Sequence, residues 1–444
     1  MDFDVLVVGG GFAGLSAATA LSEQGKKVLL LEKKPHLGGR AYSFIDSKTG
    51  HEIDNGQHLF IGAYAETRQF LARIGSSPLL RFEEKINLHF KDSSGKSDHL
   101  SAPSLFSAPI DFAWGVFNLK GLSLKEKISA GKVFQEIKKF KVNPDYSGKI
   151  ERLTVRQWLE SLGQSLSIQK RLWEPLAIGI LNENAQTASA LGLAQALEKI
   201  LSGTPKNASR LGYSQVGLSS LYAKQAENYI QKRQGLVLYS SKISSIIYQD
   251  GRACGVVCDD GRTFQGLHIL LTLPPWDLKR LNVPDYLKTG LESFATSPII
   301  GLSLWLDRPI TPNQATGLIN TQFHWAFNKN LIWSLPGKTQ YLALVISAAH
   351  AELKKEPQEI FEIAKKELTV FPEFKKAKII HWRLIKEPFA TPSPKPGLEE
   401  MRPFPGEVSP GLIIAGDWTR TGLPATIESA VLSGHKAAQI ALRS

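Results

Sequence analysis

The N-terminal stretch that ends at Glu32 constrains the fold more than any other part of the chain. Asp4 leads into the apolar run Val5-Leu-Val-Val8, the turn Gly9-Gly-Gly-Phe-Ala-Gly14 follows, and Leu15, Ala18 and Leu21 then recur at helical spacing before Gly25 and Lys27-Val-Leu-Leu-Leu-Glu32. This is strand, glycine turn, helix, strand. Strands that are apolar on both faces belong in a parallel sheet covered on both sides. The spacing Gly9, Gly11, Gly14 suits a pyrophosphate: the first glycine permits the tight turn, the second lets backbone approach the ligand, and the third lets helix pack on strand. Glu32, closing the second strand, is placed to accept hydrogen bonds from ribose hydroxyls. A ligand-free turn would explain Gly9 but gives no reason for Glu32, so a dinucleotide is expected. NAD and FAD share this fingerprint, and the rest of the chain decides between them.

At 444 residues the chain is long enough for two or three core-forming units. From about Leu105 to Ala226 the pattern is helical. Strand signals return at Gly235–Tyr239, Ile243–Tyr248, Gly255–Cys258 and His268–Leu273, with Asp250-Gly251 and Asp260-Gly261 as hairpin turns. A mixed segment from Tyr286 to Lys386 carries aromatic strands around Trp305, Trp325-Ala-Phe327 and Trp333, then a helix near Pro357–Val370. The chain closes with a buried strand, Gly411–Gly416, and a helix, Ile427–Ala441, with small residues on one face. The expected architecture is α/β: a discontinuous Rossmann-like nucleotide-binding domain from 1–80, 227–285 and 387–444. An inserted α+β substrate domain, with a helical insertion, takes 81–226 and 286–386.

Composition removes several classes. Cys254 and Cys258 cannot form a disulfide framework, and the N-terminal strand shows no basic, apolar and cleavable export pattern. The most apolar long window, Ala102–Leu119, is broken by Pro103, Pro109 and Asp111, which excludes an uninterrupted membrane-spanning helix. The histidines are scattered without metal-ligand spacing, so no metal is assigned. Neither a Gly-x-Ser-x-Gly elbow nor a P-loop lysine is present.

Two further segments bear on the cofactor. In Gly38-Gly39-Arg40 a flexible loop and a guanidinium could close over a pyrophosphate. Ala415-Gly416-Asp417-Trp418, followed by Pro424-Ala-Thr426-Ile427-Glu-Ser-Ala430, is a strand end feeding a second helix N-terminus. A glycine turn at one end of the chain and a Gly-Asp strand end at the other resemble the FAD-binding halves of the flavin amine oxidase and phytoene desaturase superfamily. The resemblance narrows with Asp54-Asn-Gly-Gln-His58, Leu172-Trp-Glu-Pro-Leu176, Leu181-Asn182, Leu273-Pro-Pro-Trp276, Ala390-Thr-Pro392 and the run from Ala415 to Glu428. These segments are similar to those of the hydroxysqualene dehydroxylase family of squalene and hopanoid biosynthesis.

The resemblance implies FAD, a glutathione-reductase-like fold of the amine oxidase type, and reduction of an allylic C30 alcohol to squalene with reduced flavin as hydride donor. It implies cofactor contacts at Gly9, Gly11, Phe12, Ala13, Gly14, Glu32, Lys33, Gly39, Arg40, Gly56, Gln57, His58, Ile243, Gly416, Asp417, Thr426 and Ile427. Such chemistry needs a hydride donor, an acid to help hydroxide leave, and a dry pocket that tolerates developing positive charge. His58 is the first candidate for the acid and Asp54 the second. Trp305, Trp325, Phe327 and Trp333 are candidates for the pocket wall, although for any one of them an aromatic core is the plainer reading. A polyene desaturase or isomerase on the same scaffold is the alternative, and a flavin-free prenyl-binding escort protein is a third reading that the Gly416-Asp417 segment opposes.

The chain carries a formal charge of +12. Lys120–Lys141 holds seven Lys and two Glu, and Lys365–Lys386 holds six Lys, one Arg and two Glu, each net +5. The first run directly follows Leu105, Phe106, Phe112, Trp114 and Phe117. A basic run beside aromatic residues suits an anionic membrane surface, and a solvated helix face is the plain alternative. No nucleic-acid motif accompanies the charge. The expected protein is cytoplasmic, peripherally bound to membrane, specific for a long isoprenoid and served by an unidentified electron donor.

Overall fold

Strands continuous in apolar residues can be buried only if both faces of their sheet are covered, and the computed structural model shows how this is done. It describes residues 2–142, 144–202 and 204–443, and within 140–146 only the backbone, so the side chain of Lys141 lies outside the described residues. The first sheet runs in the order Leu236–Leu238, Val28–Leu31, Phe3–Val8, Thr263–Leu271, Arg252–Cys258, Ile243–Gln249. Its first four strands are parallel, and Leu412–Ile414 pairs in parallel with the C-terminal half of Thr263–Leu271. The N-terminal half of that strand instead carries the antiparallel meander. Val5 and Val7 face one core with Leu15, Ala18, Leu21 and Val431, whereas Leu6 and Val8 face another with Ile246, Val256 and Leu287.

The helix Phe12–Glu23 packs against the last helix, Ile427–Arg443. Small residues set this close approach: a Cβ on Gly434 would overlap the Ala13 carbonyl and the Ser16 hydroxyl. The Ser16 hydroxyl also donates to Val431 O at 3.2 Å. The hairpin at Asp250-Gly251 has both residues in the left-handed region, φ 50° and 76°, as a two-residue type I′ turn demands.

A second sheet runs Ile379–Pro392, Thr296–Leu306, Gln340–Ser347, Trp325–Asn328, Ala315–Ile319, Asn87–Asp92, Ser97–Ser101. The strand Ile379–Pro392 passes through the boundary expected at 386/387 and belongs wholly to this sheet. The region from Leu105 to Ala226 is mostly helical, with one short strand among its described residues, Leu211–Ser214, that pairs with Phe60–Ile61 and Leu80–Phe82. Four residues paired with distant partners carry no local periodicity, so the sequence pattern did not show that strand. Trp333 is also not in a strand: it ends the short helix Lys329–Trp333, capped by the Asn328 side chain at Leu331 N.

Candidate active site

The carboxyl ends of the parallel strands converge. Val8 runs into Gly9, Leu31 into Glu32, Leu271 into Thr272 and Ile414 into Ala415-Gly416, so four separate motifs meet at one sheet edge, where open α/β sheets bind ligands. Gly9 has φ +108°, and a Cβ on Gly14 would overlap the Gly9 carbonyl, so both glycines are required by the turn itself. No side chain caps the helix that begins at Phe12, and its first intrahelical bond is Leu15 N to Gly11 O. The preceding amides are therefore available to an anion. Gly39 lies opposite: a Cβ there would stand only 3.1 Å from Gly11 Cα, so two glycine loops face each other across the groove.

These residues line one end of a cavity of about 880 Å³. Gly9, Gly11, Phe12, Ala13, Glu32, Lys33, Gly39, Arg40, Gly56, Gln57, His58, Ile243, Gly416, Asp417, Thr426 and Ile427 all border it, while Gly14 stands just behind the turn. Glu32 is buried; one carboxylate oxygen accepts from Gly10 N at 2.7 Å and the other from Lys34 N at 2.9 Å. Lys33 is paired with Asp277 at 2.6 Å. Tyr222 stacks on Phe12 at 3.7 Å and donates to Gly38 O and Ala41 O, which fixes the second glycine loop to the first helix.

Arg40 and Asp417, expected as separate contacts, are joined to each other. Arg40 Nη2 donates to Asp417 Oδ1 at 2.6 Å, Nη1 donates to Ala390 O at 3.1 Å, and the guanidinium lies 5.5 Å from the Trp276 ring. The Gly-Gly-Arg, Gly-Asp-Trp, Pro-Pro-Trp and Ala-Thr-Pro segments thereby form one cluster.

His58 is partly buried on the cavity wall, with Nδ1 2.8 Å from Gly56 O. A carbonyl can only accept, so Nδ1 carries hydrogen and Nε2 is the nitrogen left to exchange a proton. Burial pushes the imidazole below its ordinary 6.5, and the Lys329 ammonium adds to this, against the opposing pull of Gly56 O, Asp54 and Glu387. Asp54 does not border the cavity. It accepts from Leu218 N at 3.0 Å and pairs with Lys329 at 3.0 Å, with side chains only 7% and 2% exposed, so both its oxygens are engaged by the protein itself, unlike Nε2 of His58. Lys329 also donates to Gln57 Oε1 at 2.8 Å and sits over Trp333 at 3.6 Å. Burial holds this ammonium below the ordinary lysine range, with Asp54 pulling the other way.

Beyond His58 the cavity wall formed by the second sheet is mostly apolar, with Ser347, Glu387 and Thr391 as its polar members. Ile299, Trp325, Phe327 and Val345 come from three adjacent strands, and Phe112 and Leu176 close it from the helical region. Trp325 and Phe327 share a face because they are two residues apart in a strand. Trp305 and Trp333 do not line the cavity: Trp305 stacks on Tyr341 at 4.8 Å and donates to His51, and Trp333 donates to Ser214 O. Sequence reasoning missed Glu387, which borders the cavity and accepts from Asn55 Nδ2 at 3.1 Å, and Lys329. The signal for Lys329 was a lone lysine between Trp325-Ala-Phe327 and Trp333. For Glu387 there was none, since an acid in an alternating strand reads as solvent-facing.

Residues 12–442 match the family described as flavin containing amine oxidoreductase. The chain belongs to that family. Curated relatives include a hydroxysqualene dehydroxylase of Zymomonas mobilis, 27% identical over 440 residues and covering 98% of both chains. A 15-cis-phytoene desaturase of Arabidopsis thaliana is 26% identical over 462 residues, covering 98% of this chain and 79% of the relative. Among solved structures, putrescine oxidase bound to putrescine superposes with a TM-score of 0.78 at 14% identity, covering 100% of each chain. Cyclohexylamine oxidase from Brevibacterium oxydans does so at 0.71 and 17%, covering 100% of this chain and 99% of that one. The protein is an FAD-dependent oxidoreductase with a Rossmann-like FAD-binding fold and a substrate domain. The residues fit the cofactor: opposed glycine loops admit a pyrophosphate, uncapped helix amides face it, and Glu32 closes the adjacent strand.

Proposed function

We propose that this oxidoreductase removes an allylic hydroxyl reductively from a C30 isoprenoid, converting hydroxysqualene to squalene. The observation that carries this reading is the end-to-end match to the Zymomonas dehydroxylase, 98% of both chains, against 79% of the length of the Arabidopsis desaturase. The apolar wall of Phe112, Trp325 and Phe327 supports it, because a long hydrocarbon needs such a surface and offers few polar handles.

FAD, reduced and bound, supplies the hydride. The allylic C–O bond would be replaced by a C–H bond and the hydroxyl would leave with a proton as water, with two electrons drawn through the cofactor from an external donor. The chain's own residues bind, orient and exclude water. Gly9, Gly11, Phe12, Ala13 and Gly14 with Gly39 would hold the pyrophosphate, and Glu32, Lys33 and Ile243 the nucleoside end. Arg40, Gly416, Asp417, Thr426 and Ile427 would hold the middle of the cofactor, with Gly56, Gln57 and His58 at its reacting end. His58, once protonated at Nε2 as well as Nδ1, donates the Nε2 proton to the leaving oxygen, and the Trp325 and Phe327 faces accommodate developing positive charge.

A desaturase acting on a polyene is the second reading, favoured by the comparable 26% identity of the Arabidopsis enzyme. Anaerobic protein with dithionite-reduced FAD and hydroxysqualene should yield squalene, identified by mass spectrometry. Absence of squalene, together with desaturation of phytoene or squalene in the presence of an oxidant, would reverse the two readings.

A further inference from the structure

The helix Ile110–Asn118 has two apolar sides. Phe112 and Val116 are buried, and Phe112 reaches the cavity wall. Ile110, Trp114 and Phe117 recur at helical spacing on the outer side. With Leu105 before them and Leu124 and Ile128 on the following helix, Leu124–Val142, they make six exposed apolar side chains, from 46% for Trp114 to 89% for Leu105. Phe106 packs edge-on to Trp114 at 5.3 Å and extends the same surface. Single exposed apolar residues are ordinary, but a cluster of this size around one helix marks a contact with something apolar.

The charge around the cluster says what that partner is. Lys120, Lys125 and Lys132 are exposed, and Lys127 lies 5.5 Å from the Phe117 ring. The nearby carboxylates are turned to the protein's own donors. Asp98 accepts from Lys120 N and Gly121 N, Glu126 from Ser123 N and the Ser165 hydroxyl, and buried Asp111 from Phe112 N and the Ser209 hydroxyl. An apolar centre ringed by ammonium groups is complementary to acyl chains beneath anionic headgroups. Among the described residues no helix is long and apolar enough to cross a membrane, so contact would be with one leaflet only.

We propose that this surface docks the protein on an anionic phospholipid bilayer, with Leu105, Ile110, Trp114 and Phe117 in the acyl boundary and the lysines at the headgroups. Phe112, on the inner side of the same helix, lines the cavity, so docking by the outer side would set the site beside the leaflet and shorten the passage of a lipid to it. That passage rests on the function proposed above, whereas the docking does not.

The test is flotation of the FAD-loaded protein with vesicles of phosphatidylcholine, alone or mixed with phosphatidylglycerol, in the absence of substrate. The protein should float with the anionic vesicles, much less with the neutral ones, and partly dissociate as salt rises. Ile110→Ser/Trp114→Ser/Phe117→Ser should lower the bound fraction at least about tenfold while flavin absorbance reports an intact fold. If that variant fails to fold, Lys120→Glu/Lys125→Glu, on exposed positions, should still abolish the anionic preference. No flotation with anionic vesicles, or flotation unchanged in the folded apolar variant and in the charge variant, would overturn the proposal. So would light scattering that shows a dimer, reduced to monomer by the apolar substitutions, with no vesicle binding. None of these readouts involves squalene formation, so failure of the catalytic reading would be seen separately.

Discussion

At His58 a single hydrogen bond decides the chemistry. Nδ1–H is committed to Gly56 O, and burial holds the ring below its ordinary 6.5, so at neutral pH the imidazole is neutral and Nε2 bears no proton. If Nε2–H protonates the leaving oxygen, turnover at saturating substrate should rise as pH falls below neutral and level off only beneath the ordinary histidine range. His58→Asn should flatten that limb without loss of bound FAD. A wild-type rate independent of pH across this window would remove His58 from the proton-donor role. The location of His58 was legible because Asp-Asn-Gly-Gln-His is a compact local pattern. Its protonation state was not, because burial is a property of the assembled wall. The ion pair of Asp54, in the same pattern, was not legible for a related reason: its partner Lys329 lies 275 residues away.

At the scale of elements, that ion pair ties the Asp54–His58 segment to the short helix Lys329–Trp333, and Lys329 reaches Gln57 as well. A buried charge deprived of its partner typically costs roughly 3–5 kcal/mol, whereas replacing both partners with apolar groups is often close to neutral. Lys329→Met should therefore lower the unfolding free energy in urea by about that amount, and Lys329→Met/Asp54→Leu should recover most of it. A single substitution costing less than about 1 kcal/mol would mean that the pair is screened by solvent. Elements with strong local periodicity, such as Phe3–Val8 and Phe12–Glu23, were readable from the sequence. Lys329–Trp333 was read as a strand because a Trp at the end of an aromatic run looks the same in either conformation. The Asn328 cap at Leu331 N and the left-handed Ser334 that closes the turn distinguish the helix.

For the whole molecule, the decisive contact spans 377 residues: Arg40 from the second glycine loop meets Asp417 from the last strand end. Each segment was legible alone, yet the sequence assigned both residues to the cofactor directly and carried no sign that they bind each other. The pair closes the discontinuous fold around the groove, with Asp417 only 8% exposed and Arg40 33%. If the two act as one unit, Arg40→Ala and Asp417→Ala should each weaken FAD retention by roughly tenfold or more, about 1.4 kcal/mol, read as flavin content after dialysis. The double substitution should lose little beyond the worse single one, because the second change removes an interaction already broken. Additive losses would show that each side chain holds the cofactor independently, and the ion pair would then be only a consequence of their proximity.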